Sequence, residues 1–304
     1  MCRFGVIGSV NRDVIVSAAG RTHCDLGGSL YTVMALASLV PAATVVPMAR
    51  IGVDVLPAVR ALLACCPQVS MAGFRMEAAV NYACRLEYRS DGSKREILTG
   101  SLVPLSRADL WEGVLELDAL LVNFITGREL RLEALQCLRR AFRGPIAMDL
   151  HSLLLRSLPD GTRVAEAPAD WREWAALADA LQMNASEAAL LAEAEGPLDE
   201  NRLAALARRL LELGPRWVAI TRGAAGALAV EAGAPGPVTA PALAVPAAVD
   251  PTGCGDVFLA ALGAGLLARA PLAAVLRAAC RAAGQASQWR GPAALRRLEP
   301  LALA

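Results

Sequence analysis

The chain has 304 residues, 55% of them apolar and 19% charged, with a formal net charge of +1. That composition excludes a disordered protein, and the length is enough for one large α/β domain with a substantial core. The near-neutral balance, with no long basic stripe, excludes nucleic acid as the expected partner, because such binding relies on clustered Lys and Arg against phosphates.

Apolar stretches are interrupted well before the ~20 residues that a membrane helix needs. The longest, Leu30–Val46, is broken by Pro41. The opening residues are too short and wrongly flanked for a signal peptide, so a soluble, cytoplasmic protein without a membrane partner is expected. The eight cysteines, at 2, 24, 65, 66, 84, 137, 254 and 280, form no CxxC pair, and the only histidines are His23 and His151. A zinc site and a disulfide framework are both disfavoured, and the thiols read as small buried hydrophobes or free cysteines.

In chain order, Arg3–Gly8 reads as a first strand, Leu30–Leu39 as a helix opening after Gly27-Gly28, and Thr44–Ala49 as a strand. Further strands are predicted at Ala119–Asn123, Pro145–Asp149, Ala180–Asn184 and Trp217–Thr221, with helices such as Leu130–Phe142 and Asn201–Leu213 between them. Two apolar helices close the chain, at about Gly253–Arg269 and Leu272–Gln288. Short apolar strands alternating with longer helical patterns predict a mostly parallel sheet flanked by helices. One segment departs from this alternation. Val80–Tyr88 and Lys94–Thr99 are β-rich runs around Asp91-Gly92, a hairpin signal. With Val14–Ser17 they predict a small antiparallel sheet, built from about 11–26 and 74–100, that serves either as a lid over a site or as an ordinary edge hairpin.

The most informative stretch is Asp250-Pro251-Thr252-Gly253-Cys254-Gly255-Asp256-Val257-Phe258, which opens into a helix. Gly253 and Gly255 allow backbone N–H groups to converge, and the helix N-terminus adds partial positive charge, giving an anion hole. Asp256 would repel a phosphate that is merely bound. It makes sense as a base accepting a proton from an attacking hydroxyl, or more plainly as a helix cap.

That stretch resembles the C-terminal signature of the PfkB or ribokinase-like carbohydrate kinases, with Cys254 in place of the usual Ala. Other segments resemble the family in order and spacing, over nearly the whole chain. Gly8-Ser9-Val10-Asn11-Arg12-Asp13 resembles its first strand and following acidic residue, which implies that Asn11 and Asp13 contact substrate hydroxyls. Gly27-Gly28 resembles the diglycine that approaches the sugar. Four residues after the second glycine many members carry Asn where this chain has Thr32, which points to a different polyol or a bulkier ligand, unless Tyr31 and Thr32 are simply helix residues facing the core. Asn184-Ala185-Ser186-Glu187 resembles the N-x-x-E element, which implies Asn184 near phosphate and Glu187 organising Mg²⁺. Thr221-Arg222-Gly223-Ala224-Ala225-Gly226 resembles the T-x-G-x-x-G turn that passes the nucleotide phosphates, with Thr252 beside them. His151, after the strand ending at Asp149, and Arg128 are candidate substrate contacts, and Ala279–Gly284 and Gly291-Pro292 fall where relatives wrap the adenine.

The resemblance implies a single ribokinase-like kinase domain over 1–304 that uses ATP and Mg²⁺, with K⁺ a candidate further ion. It implies transfer of the γ-phosphoryl group to a hydroxyl of a small sugar or polyol, with Asp256 as base and Gly253, Cys254 and Gly255 as the anion hole. A homodimer formed through the lid would be in keeping with the family. A nucleoside kinase of the same fold and a catalytically silent sugar- or nucleotide-binding sensor are the alternatives. A Rossmann dehydrogenase is disfavoured, because no G-x-G-x-x-G follows the first strand.

Overall fold

A computed structural model describes residues 2–91, 93–246 and 248–303, so Gly92 of the expected hairpin turn lies outside the described residues. In chain order the strands are β1 Arg3–Ile7, β2 Val10–Val16, β3 Thr22–Gly28, β4 Thr44–Gly52, β5 Phe74–Glu77, β6 Ala83–Tyr88, β7 Lys94–Thr99, β8 Ala119–Asn123, β9 Ile146–Asp149, β10 Leu155–Ser157, β11 Arg163–Ala165, β12 Ala180–Asn184, β13 Trp217–Thr221, β14 Ala227–Glu231 and β15 Val238–Ala240. The helices are α1 Leu30–Leu39, α2 Leu56–Leu63, α3 Arg107–Val114, α4 Leu132–Ala141, α5 Trp171–Ala175, α6 Ala185–Leu191, α7 Glu200–Leu211, α8 Cys254–Leu267 and α9 Leu272–Ala286.

The main sheet runs β15-β14-β13-β12-β9-β8-β1-β4-β5, parallel from β13 to β5, with β14 and β15 returning antiparallel at one edge. Its central strands are buried on both faces and read as continuous apolar runs, as parallel strands under two helical layers must. On one face α1, α2, α8 and α9 pack with Phe4, Val6 and Leu121; on the other, α3 to α7 pack with Ile7, Val122 and Met148. The local chemistry of each helix fits its place. In α7, Asp199 caps the N-terminus by accepting from the Arg202 N–H at 2.8 Å, and Leu203, Leu206, Ala207 and Leu210 form the buried stripe. In α8 every residue from Val257 to Leu266 is buried, and Gly263 lets the helix lie directly on Leu121. No helix among the described residues is long and apolar enough to cross a membrane.

A second sheet, β3-β2-β6-β7, stands over one end of the first. Its two hairpins are antiparallel, and β2 joins them by pairing parallel to β6. The segment 74–77, expected in this lid, instead forms β5 and extends the main sheet beside β4. Directly opposed residues share a face, so the pairs Tyr88–Lys94, Leu86–Glu96 and Cys84–Leu98 lie on one side of the lid. Ile15, Tyr82, Cys84, Leu86, Leu98 and Leu102 give the lid a small core of its own.

Candidate active site

Parallel pairing brings the C-terminal ends of the central strands side by side. Asn123 at the end of β8 is in register with Asp149 of β9, Asp149 with Gln182 of β12, and Asn184 with Thr221 of β13. Ligands gather at this edge in open parallel sheets. Here the edge and the lid enclose a cavity of about 400 Å³. Its lining includes Asn11, Asp13, Gly28, Asn123, Asp149, His151, Asn184, Glu187, Thr221, Thr252, Gly253, Gly255 and Asp256. A second cavity, of about 520 Å³, adjoins it along Thr221, Pro251 and Gly255 and contains Gly223, Gly226, Leu243, Cys254, Phe258 and Gly284.

Asp256 lies in the first turn of α8. The helix starts there because Gly253 adopts φ +83°, a conformation that glycine takes without strain, and Thr252 N–H donates to Asp250 Oδ1 at 2.9 Å. A side chain at 253 would also collide with the Tyr31 ring. The Asp256 carboxylate is oriented from the sheet: Asn123 Nδ2 donates to its Oδ1 at 2.5 Å and to Thr32 Oγ1 at 2.8 Å. Burial raises the Asp256 carboxyl to about 6, against the opposing Asn123 hydrogen bond and the His151 charge. Across the cavity, burial and the neighbouring Asp256, Asp25 and Glu96 carboxylates push Asp13 up to about 7. Asp149 is also raised, by burial and by Glu187, and it accepts from Gln182 Nε2 at 2.8 Å.

The cations of the cavity are paired. Lys94 Nζ lies 2.5 Å from Glu96 Oε1, and His151 Nδ1 lies 2.8 Å from Glu187 Oε1. Burial opposes the imidazolium, but the Glu187 hydrogen bond and charge outweigh it and hold His151 up at about 9. Two amide oxygens of lining residues have no donor: Asn11 Oδ1 and Gln182 Oε1 are buried without a partner. The lining residues Asp13, Asp149, Glu187 and Asp256 add carboxylate acceptors to the same wall.

Most residues singled out by sequence converge on these two cavities, with five qualifications. Thr32 is fully buried behind the wall, where its hydroxyl accepts from Asn123 and donates to the Asp256 carbonyl at 3.5 Å. Gly27 does not line the cavity but leaves room for Asp13, since a methyl at 27 would overlap the Asp13 carboxylate. Thr252 faces the lid-side cavity, while Cys254 faces the adjoining one. Arg128 is exposed and away from both. The Cys254 amide, expected in the anion hole, is used within the loop, donating to the Pro251 carbonyl at 3.2 Å.

Among the described residues, Glu187, the expected Mg²⁺ organiser, has both carboxylate oxygens engaged by protein groups. Glu187 Oε1 accepts from Asn184 Nδ2 and is paired with His151, and Oε2 accepts from Asn184 N–H. No group of three His, Cys, Asp or Glu among the described residues could hold a metal ion.

Tyr31, Tyr88, Lys94, Glu96 and Gln182 also line the lid-side cavity and were not singled out as ligand contacts by sequence. The alternation of Lys94 and Glu96 with Leu98 along β7 was the available signal, because it places all three on the face of Leu86 and Cys84.

Residues 129–296, more than half of the chain, match the family model described as pfkB family carbohydrate kinase. The chain belongs to the pfkB family of carbohydrate kinases. Solved structures of similar fold surround this family member. Arabidopsis thaliana ribokinase complexed with ribose and ATP shares 19% identity, with 99% of this chain and 96% of that chain covered and a TM-score of 0.76. Burkholderia thailandensis nucleoside kinase in complex with inosine shares 19% identity over 97% and 94%, with a TM-score of 0.73. A pyrophosphate-dependent kinase in the ribokinase family, complexed with a pyrophosphate analog and myo-inositol, shares 17% over 96% and 97%, with a TM-score of 0.77. No curated protein sequence matches the chain.

Proposed function

We propose that this carbohydrate kinase transfers the γ-phosphoryl group of ATP to a hydroxyl of an uncharged sugar or polyol, with the whole chain acting as one catalytic unit. The observation that carries the reading is the position of Asp256. It stands at the head of α8, aimed by Asn123 into the lid-side cavity, beside the line where the second cavity joins. An acceptor held by Asp13 and Asn11 presents its hydroxyl to Asp256. As the hydroxyl oxygen bonds to the γ-phosphorus, its proton passes to the Asp256 carboxylate, the bond to the bridging oxygen breaks, and ADP leaves. The amides of Gly253 and Gly255, with the partial positive charge of α8, stabilise the charge that develops on the transferred group.

The second cavity supports ATP as donor. Its walls include Leu243, Val245, Phe258 and Ala283, an apolar lining suited to a nucleobase rather than to bare pyrophosphate. Gly226, with φ +83°, turns the chain after β13 beside Thr221, on the route to the triphosphate. Mg²⁺ belongs to this reading as the counter-ion carried by the donor phosphates, where it neutralises charge when bound. The acceptor is read as uncharged because Lys94 and His151, the cations among the described residues lining this cavity, are both committed to carboxylates.

The test is ADP release from MgATP across neutral pentoses, hexoses, inositols, nucleosides and sugar phosphates, with Asp256→Asn as control. Turnover with a neutral acceptor is expected, reduced about 10²–10⁴-fold in the variant while ATP still binds. Undiminished turnover in Asp256→Asn would refute the base assignment. Preference for a phosphorylated sugar would refute the acceptor class, and turnover confined to nucleosides would reassign it. ATP binding without turnover on any acceptor would make the chain a silent sensor.

A further inference from the structure

Tyr88 of β6 reaches from the lid to the loop that precedes α8. Tyr88 lies on the cavity face opposite Lys94, and its Oη is 3.2 Å from Oγ1 of Thr252. Thr252 is itself fixed by Asp250 and precedes Gly253, the residue that starts α8 and sets the position of Asp256. A hydrogen bond at this point ties a strand of the small sheet to the head of a helix on the large one. Tyr88 also stands between two spaces. On its far side is an outer cavity of about 360 Å³, lined by Ser17, Arg21, His23 and Arg290, and Tyr88 and Pro251 are the two residues that line both it and the lid-side cavity.

A gap here would matter chemically. Water reaching the γ-phosphorus would bond through its oxygen, give its proton to Asp256 and release ADP and inorganic phosphate, the same displacement with the wrong nucleophile. We infer that Tyr88 is a positioning residue with two separable parts: its phenol latches the lid to the Thr252 loop, and its ring walls the acceptor cavity from the outer one. The wall directs phosphoryl transfer to the acceptor rather than to water. The second part rests on the reading of the lid-side cavity as the acceptor site; the first does not.

Two variants separate the parts. Tyr88→Phe keeps the ring and removes the hydroxyl; Tyr88→Ala removes both. Two quantities are measured in each: amide hydrogen exchange along β6 and β7 in the protein without ligands, and the ratio of inorganic phosphate released to acceptor phosphorylated. In Tyr88→Phe the lid amides should exchange about fivefold faster, the loss of one ordinary hydrogen bond, while β8 and β13 exchange as in the parent and the phosphate ratio stays unchanged. In Tyr88→Ala the phosphate ratio should rise about tenfold or more. Unchanged lid exchange in Tyr88→Phe would overturn the latch, as would equal acceleration in β8 and β13, which marks a general loss of stability. An unchanged phosphate ratio in Tyr88→Ala would overturn the wall. Exchange needs no turnover, so a parent protein inactive on every acceptor would refute the proposed function and still leave the latch to stand or fall on its own measurement.

Discussion

Replacing Asn123 with alanine isolates what holds the carboxylate at the head of α8. Asn123 Nδ2 donates to Asp256 Oδ1 at 2.5 Å, and burial with this opposing bond leaves the carboxyl at about 6. A hydrogen bond to an ionised group contributes about 1.5–3 kcal/mol. Since about 1.4 kcal/mol corresponds to one pKa unit, its loss should raise Asp256 by about 1–2 units. The sign is fixed by the chemistry: the donor stabilises the carboxylate, so removing it favours the protonated form, and a protonated Asp256 cannot take the acceptor proton. The acid limb of kcat should therefore move up by about 1–2 pH units. At pH 7 the ionised fraction falls from about nine-tenths to about one-tenth at the upper end of that range, a loss near tenfold, recovered by about pH 9. Asp13 and Asp149 titrate nearby in both proteins, so the shift is read as the difference between two pH profiles at saturating acceptor and MgATP. The position of the limb does not depend on how much variant is folded. An acid limb that stays in place would refute the argument that Asn123 tunes Asp256, and with it the case for Asp256 as the titrating base.

The two cavities should respond to different substitutions. Gly27→Ala places a methyl against Asp13 on the paired strand, so the acceptor KM should rise about tenfold or more, roughly the loss of one good charge-assisted hydrogen bond, with the ATP KM unchanged in initial-rate measurements. An equal rise in both would show that the cavities are not functionally distinct. Cys254→Ala should change kcat by less than about threefold, since Cys254 lines the adjoining cavity and not the one lined by Asp13 and Asp256. Burial, with Asp256 and Asp250, pushes that thiol up to about 12, so it should resist alkylation at pH 8. Rapid alkylation there would contradict the burial on which the argument rests.

The residues that carry local conformational or chemical signals were legible in the sequence. Gly253 and Gly255 before an apolar helix marked the α8 turn, and the strands ending at Asn123, Asn184 and Thr221 were placed at their ends because short apolar runs stop abruptly at polar residues. Glu187 was legible as an acid suited to a helix N-terminus, but the structure makes Asn184 the cap, in a capping box with Glu187. Strands whose partners are distant in sequence were harder to place. Phe74–Glu77 joined the main sheet rather than the lid, because β4 offered an open edge that the sequence of 74–77 does not encode. The antiparallel strands β14 and β15 carry no local feature that separates them from loops beside a helix.

By itself the sequence determined the alternating architecture and the small-sheet hairpin around Asp91, because periodicity and turn chemistry are properties of neighbouring residues. Tertiary structure alone decided which groups meet. It moved Thr32 behind the wall, set Asn123 against Asp256 across 133 positions, paired His151 with Glu187 across 36, and brought Tyr88 to Thr252 across 164. Such contacts depend on strand order and on helix packing against the sheet. Those follow from burial summed over the whole chain, and no short segment contains that sum.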